Sequence, residues 1–293
     1  MRIVLFTRTG FHHTYFINRL QERFDVSCVV REGYPQIKKE GAVASLMKYV
    51  LKKGGSGEKE DEAFLREFNE KYSAGFRFHR MLKDYLRSPF DLVVERPGVK
   101  YVNVQCGDIN SSGFASFLRE LTPDIIVVLG SSVISPEIIS VPSMAMINIH
   151  SGLSPYYRGT WSYGWPIVNN EPEYIGVTVH CIDPGIDTGD IIFQTRPPLE
   201  PGDDLNSIFL KVISQGVELA AEAMERIIAD SVQTYPQPRN IGRLYLTKDF
   251  NAAAARLCLS RLEGGIIAGY LARKDEADAA VPLYGCVAPR ILG

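Results

Sequence analysis

The uninterrupted apolar run Ile125-Ile-Val-Val-Leu129, preceded by Pro123-Asp124, does most to narrow what this chain can fold into. A strand with one wet face alternates apolar and polar residues. A run apolar at every position therefore predicts a strand covered on both faces, as in a parallel sheet clothed by helices. The amino-terminal end agrees. Met1 to Thr7 reads as a strand, Tyr15 to Phe24 as a helix and Val26 to Val30 as a second strand. That order predicts an α/β fold with a doubly wound, mostly parallel sheet. The pattern resumes at Tyr101–Gln105, passes through a helix near Phe114–Leu121 and returns as a strand at Met144–Ile147. A long amphipathic helix is expected from Asp204 to Ile228, ended by Tyr235-Pro-Gln-Pro238, and another from Phe250 to Leu262.

Between the second and third strands lies a segment of different character. Ala42–Leu51 and Glu62–Tyr85 carry apolar residues at helical spacing, and Gly54 to Glu62 between them reads as an exposed flexible loop. Residues 35–90 are thus expected to be largely helical, serving packing or subunit contact or else a substrate role.

At 293 residues, 45% hydrophobic, the chain is long enough to bury a sizeable core. Its net charge of −2 disfavours a polyanionic partner, so no nucleic acid is expected. Cys28, Cys106, Cys181, Cys258 and Cys286 are scattered and form no CxxC pair. They suit reduced thiols better than a disulfide framework or a metal site, and no metal is expected. No apolar run approaches the ~18 residues of a membrane span, and Met1 leads straight into a strand rather than a signal peptide. A cytoplasmic protein without a membrane partner is the expectation. The first strand is not followed by GxGxxG, which removes the main support for a dinucleotide-dependent enzyme.

The chemistry concentrates between residues 147 and 190. Strand side chains alternate, so Asn148 and His150 project together at the carboxyl end of their strand, where open α/β sheets bind ligands. A further strand, Gly176-Val-Thr-Val-His-Cys-Ile-Asp183, leads into a turn presenting Asp187. An amide, an imidazole and a carboxylate can hold a developing oxyanion and move a proton. Each also has a plain structural reading, since an Asn can close a turn and a His can satisfy a core hydrogen bond. His180 is open to a supporting role or to core packing. Asp183, before Pro184-Gly185, has turn formation as a sufficient explanation, and Asp190 can close the entry to the next strand. Tyr156, Tyr157, Trp161, Tyr163 and Trp165 are mostly accounted for by packing, although ring-faced ligands often meet such side chains.

Four ordered pieces resemble the formyltransferases that use 10-formyltetrahydrofolate: Asn148-Ile-His150, Leu153-Ser-Pro-Tyr-Tyr-Arg-Gly159, Gly176-Val-Thr-Val-His180 and Gly185-Ile-Asp-Thr-Gly-Asp-Ile-Ile192. Ser151-Gly-Leu-Ser-Pro155 departs from the family's usual run ending Leu-Leu-Pro. The resemblance implies a Rossmann-like formyltransferase core. Residues 1–235 would be the catalytic domain, interrupted by the 35–90 insert, and 236–293 a small C-terminal extension. It further implies Asn148, His150 and Asp187 as the catalytic groups. A folate slot would be lined by Ser132, Val133 and Ile134 and by Ile182, Asp183, Gly185 and Asp187. The loop after the first strand, with Arg8, His12 and His13, and the aromatic segment, with Tyr157 and Arg158, are expected to border the acceptor amine. Arg8 and Arg158 suit phosphates. By elimination, the acceptor is expected to be a small-molecule amine, first of all a nucleotide-linked amino sugar. Methionyl-tRNA, glycinamide ribonucleotide, another amine, hydrolysis of the folate, a non-catalytic binding role and a homodimer all remain open.

Overall fold

The computed structural model describes residues 1–34, 56–72 and 92–285. Its first unit is β1 (Ile3–Arg8), α1 (Phe11–Arg23) and β2 (Val26–Glu32), followed by α2 (Ser56–Tyr72) and β3 (Lys100–Val104). Next come α3 (Ser112–Leu121), β4 (Ile125–Leu129), α4 (Pro136–Ile139) and β5 (Ala145–His150). β6 (Tyr157–Gly159), α5 (Trp165–Val168), β7 (Val177–Cys181) and β8 (Ile191–Thr195) lead to the long α6 (Leu205–Ile228). The last described elements are β9 (Arg243–Tyr245), α7 (Ala252–Glu263), α8 (Ile266–Leu271) and α9 (Lys274–Ala280).

Seven strands form one sheet in the order β3-β2-β1-β4-β5-β7-β8. The first five are parallel, while β7 runs antiparallel to both β5 and β8. The order turns back between β1 and β4, and at such a switch point the loops leaving two neighbouring strands diverge and open a crevice at their carboxyl ends. The apolar run of β4 divides between two cores. Ile125, Val127 and Leu129 join Leu5, Phe16 and Val217 on one face, and Ile126 and Val128 join Phe6, Phe114 and Leu118 on the other.

Helix α6 begins at Asp204, whose carboxylate accepts the backbone N–H groups of Asn206 and Ser207, while Ser207 Oγ accepts the N–H of Asp204. This reciprocal cap satisfies donors that the first turn leaves unpaired. Further along, Gly216 lets the helix settle on the sheet. A Cβ there would come within 2.6 Å of Ile149 and 2.9 Å of Val177.

The middle of the 35–90 segment departs from expectation. The stretch from Ser56 onward is helical rather than a flexible loop. Glu60, Asp61 and Glu62 lie exposed along this helix. Phe68 and Tyr72 on this helix are buried; Phe68 packs against Trp161 and Phe250, and Tyr72 against Phe68. The helices expected over Ala42–Leu51 and beyond Tyr72 lie outside the described residues. Toward the carboxyl end, Asn251 caps α7, with its side chain accepting the N–H of Ala254. Phe250, Ala255, Cys258 and Ile267 join the core that α6 covers.

Because Ile149 lies between two inward-facing polar residues, overpacking at Gly216 should disturb both stability and the crevice. Gly216→Val is expected to cost ~1–3 kcal/mol, read as a lower urea midpoint with an unchanged slope.

Candidate active site

A cavity of about 660 Å³ opens at the carboxyl ends of β4 and β5, beside the start of α1. That is within the range of roughly 300–1,000 Å³ usual for small-molecule sites. Its floor is the polar group Asn148, His150, His180 and Asp187. The antiparallel pairing of β5 with β7 sets Asn148 opposite His180 and His150 opposite Thr178, so the two strands present one polar face.

Asp187 sits on the turn after β7 with φ 52°. Aspartate tolerates this left-handed conformation better than bulkier residues do, and here it carries the carboxylate back toward the strands. One oxygen, Oδ2, accepts the N–H of Gly159 at 2.8 Å and lies 3.4 Å from His150 Nδ1. The other, Oδ1, lies 3.4 Å from Asn148 Nδ2 and 3.6 Å from His180 Nε2. Burial opposes ionisation, but the two imidazoles and the Gly159 N–H outweigh it and hold the carboxyl well below its usual range. Asp187 is therefore ionised at neutral pH.

The histidines are oriented by carbonyls. His150 Nε2 lies 2.7 Å from the carbonyl of Tyr157, and His180 Nδ1 lies 2.7 Å from that of Cys181. Each carbonyl can only accept, so each assigns a proton to the nitrogen facing it. The opposite nitrogen of His150, Nδ1, is left with its lone pair turned toward the floor, while His180 Nε2 faces Asp187 Oδ1 at 3.6 Å. Asn148 Nδ2 lies 3.2 Å from His180 Nε2. Burial lowers the pKa of His150 despite the opposing pull of Asp187, leaving the imidazole neutral at pH 7.

One wall combines Ser132, Val133 and Ile134 with Ile182, Asp183, Gly185 and Ile186. Every residue expected from the sequence to form the folate slot thus lines the same cavity. Val133 is 65% exposed, which leaves an apolar side chain available to a ligand. Asp183 also shapes the turn, accepting the N–H of Gly185 and the hydroxyl of Thr188. Behind this wall is Glu32, a residue that sequence reasoning did not single out. It is 1% exposed at the end of β2. Its carboxylate accepts the N–H groups of Gly107 at 2.6 Å and Ser132 at 2.7 Å, and it pairs with Arg8 at 3.2 Å.

The structure separates the residues expected to meet the acceptor. His12 and His13 line the cavity, with His13 Nδ1 2.7 Å from Thr7 Oγ1. Arg8, Tyr157 and Arg158 are not on its lining. Arg8 is drawn to Glu32 and lies over the Tyr34 ring. Tyr157 is 1% exposed and turned among Tyr174, Tyr245 and Glu171, because its position on β6 faces the core. Arg158, the next residue on that strand, faces a separate hollow bordered by Pro184, Gln237 and Arg239. Trp161, Tyr163 and Trp165 are packing residues, stacked or tilted against Phe250, Phe209 and Tyr245.

Also absent from the sequence reading were Thr160 and the run Tyr245-Leu-Thr-Lys248, which form the cavity's other side. β9 pairs in parallel with β6, and Gly159, at φ 90°, lies so near the Tyr245 carbonyl that no Cβ would fit. The same Gly159 donates to Asp187, so the C-terminal segment helps to position the carboxylate. No local pattern reports a contact across this many residues.

Among the described residues, no cluster of three His, Cys, Asp or Glu side chains is placed to hold a metal ion. No helix among them is long and apolar enough to cross a membrane.

Residues 94–224, which contain every polar residue of the floor, match the family profile described as Formyl transferase. Over this span the chain is similar to the formyltransferase family. Two curated relatives are methionyl-tRNA formyltransferases. That of Pelobacter propionicus is 33% identical over 133 residues, covering 45% of this chain and 41% of the relative. That of Desulforamulus reducens is 36% identical over 135 residues, covering 46% and 42%. The matched region thus spans less than half the length of either relative. Among solved structures, a sugar N-formyltransferase from a Shewanella species is similar at a TM-score of 0.52 and 16% identity, covering 89% of this chain and 87% of the other. An N-formyltransferase from Helicobacter canadensis, in complex with folinic acid and dTDP-3-aminofucose, is similar at a TM-score of 0.51 and 18% identity, covering 85% and 72%. At such identities the likeness establishes the fold.

Glu32 ties the Ser132 wall to the sheet, so its removal should be felt in both stability and ligand affinity. Glu32→Ala leaves Arg8 and two N–H groups without their partner, and breaking a buried pair costs ~3–5 kcal/mol. A clearly lowered urea midpoint is expected, with Glu32→Gln intermediate because its amide oxygen still accepts.

Proposed function

We propose that this chain transfers a formyl group from 10-formyltetrahydrofolate to the amine of a small acceptor, a nucleotide-linked amino sugar. The observation that carries the reading is the convergence of Asn148, neutral His150 and ionised Asp187 at the floor of a cavity with one largely apolar wall. Val133, Ile134, Ile182 and Ile186 suit the faces of a pterin and a benzoyl ring, and the backbone groups of the 182–187 turn suit its polar edge.

The amine attacks the formyl carbon, and the formyl oxygen gathers negative charge. Asn148 Nδ2 makes only long contacts, 3.2 Å to His180 and 3.4 Å to Asp187, so one of its N–H bonds can turn to that oxygen at little cost. The attacking nitrogen must lose a proton, and the departing folate nitrogen must gain one. His150 Nδ1 is the lone pair available to carry it, since Nε2 is committed to the Tyr157 carbonyl. The imidazolium formed in passing faces Asp187, which stabilises it while remaining ionised.

For the acceptor, the net charge of −2 argues against a tRNA, and the ligands of the Helicobacter canadensis neighbour are the type of pair proposed here. The curated relatives favour methionyl-tRNA as the second reading. Incubation with 10-formyltetrahydrofolate and either amino-sugar nucleotides or methionyl-tRNA, followed by the absorbance of released tetrahydrofolate, separates the two. Formate release with no amine present would instead identify a hydrolase.

Asn148→Ala should lower kcat by ~10²–10³ if its amide serves the oxyanion. His150→Ala and Asp187→Asn should be far from additive in combination, because they act on one proton. Independent losses that multiply would overturn the shared relay.

The pH dependence follows from the lowered pKa of His150. The rate should rise with pH through a midpoint below the ordinary histidine value of ~6.5 and then stay level through neutrality. Stability should move the same way. Below about 6.5 the unfolded chain takes up a proton at this residue that the folded chain resists, so acidification favours unfolding. Above that range both states are neutral and the contribution vanishes. Replacing His150 with Gln should remove this part of the acid-side loss, measured as urea midpoints at several pH values.

A further inference from the structure

We infer that Tyr245-Leu-Thr-Lys248 forms the acceptor side of the cavity and that Lys248 pairs with a phosphate-bearing part of the acceptor. The inference rests on the transfer reading of the same cavity and adds the determinant of acceptor choice.

The electrostatic layout leaves few options. Asp183 and Asp187 line the cavity and are acidic. His12, pushed down to about 4 by burial, and His13, pushed well below its usual value first by burial and then by His12 and Arg8, bring no positive charge at neutral pH. Arg8 is held by Glu32 and Arg158 faces another hollow. Among the described residues lining the cavity, Lys248 is the one lysine or arginine, and no salt bridge engages it there. A ligand reaching this floor with a negative group would be attracted to that end of the cavity and repelled by the other.

Lys248 is exposed, yet the chain presenting it is tied down. The Tyr245 ring stacks on Trp165 with centroids 3.9 Å apart, and its hydroxyl accepts from Asn169 at 2.8 Å. The Tyr245 carbonyl accepts the N–H of Thr160 at 2.9 Å, and Asp249 accepts the N–H of Leu246 at 2.7 Å. The hydroxyls of Thr160 and Thr247 border the same space and can donate to phosphoryl oxygens. A lysine is a compact point charge with three donors, which suits a phosphate without imposing one geometry. The strand pair that holds Lys248 also carries the Gly159 N–H that positions Asp187. Acceptor anchoring and proton relay therefore share one support.

The test is calorimetric titration of UDP, dTDP and inorganic pyrophosphate into wild type, Lys248→Gln and Lys248→Arg, with folinic acid titrated separately into each. The expected result is binding of at least one phosphate probe by wild type and a loss of about tenfold in Lys248→Gln, the scale of a charge-assisted hydrogen bond discounted for exposure. Lys248→Arg should recover most of it, folinic acid affinity should not change, and wild-type affinity for the phosphate probe should fall with salt more steeply than that of Lys248→Gln. Equal affinity in wild type and Lys248→Gln would overturn the inference, as would failure of wild type to bind any of the three probes. Folinic acid binding in that last case would leave the transfer reading standing, whereas its absence would count against that reading separately.

Discussion

The site depends on one buried carboxylate. An ionised aspartate out of water is costly unless donors face its oxygens, and Asp187 draws them in from the elements around it. Gly159 on β6 donates a backbone N–H, Asn148 on β5 supplies an amide and the His150 and His180 imidazoles close the remaining sides. The requirement works in both directions. The carboxylate needs the strands to bring these groups together, and the strands are oriented usefully only while the carboxylate gathers them. Its left-handed backbone, sparsely populated by residues other than glycine, is a local cost offset by that set of contacts.

The same demand explains why the site reaches beyond the sheet. β6 is only three residues long and belongs to no part of the main sheet. It is steadied by β9 and by the side chains around Tyr157: Glu171, which accepts its hydroxyl, and Arg243, which reaches both Tyr157 and Glu171. Since the Tyr157 carbonyl orients His150 and the Gly159 N–H holds Asp187, any loosening of this small ladder reaches both members of the proposed relay. On the other wall, Glu32 performs a comparable task, using one buried charge to fix the backbone of Ser132 and Gly107.

Much of this was legible in the residues taken in order. Continuous apolar runs predict buried parallel strands, and β4 divides its side chains between two cores as such a run must. Strand alternation alone places Asn148 and His150 on one face. The turn after β7 is marked by Gly185 and Gly189, and Asp204 and Asn251 announce the helices they cap. Signals of this kind are local: a period of two, a period of 3.6, a capping side chain. They survive in a sequence because the groups concerned interact within a few positions of one another.

What the sequence could not decide was set by distant partners. Arg8 and Arg158 look equally free to meet a phosphate, yet Glu32 engages one and the face of β6 turns the other away. Lys248 has no distinguishing neighbours in the chain and gains its position only because β9 pairs with β6, some 85 residues earlier. The charged stretch before Glu62 reads as a loop by composition, but it belongs to a helix whose Phe68 buries against Trp161 and Phe250. Composition and periodicity thus determined the layered fold and the shared face of Asn148 and His150. Which charges remain available to a ligand was decided by tertiary contacts, because an ionisable side chain is free or spent according to its neighbours in space.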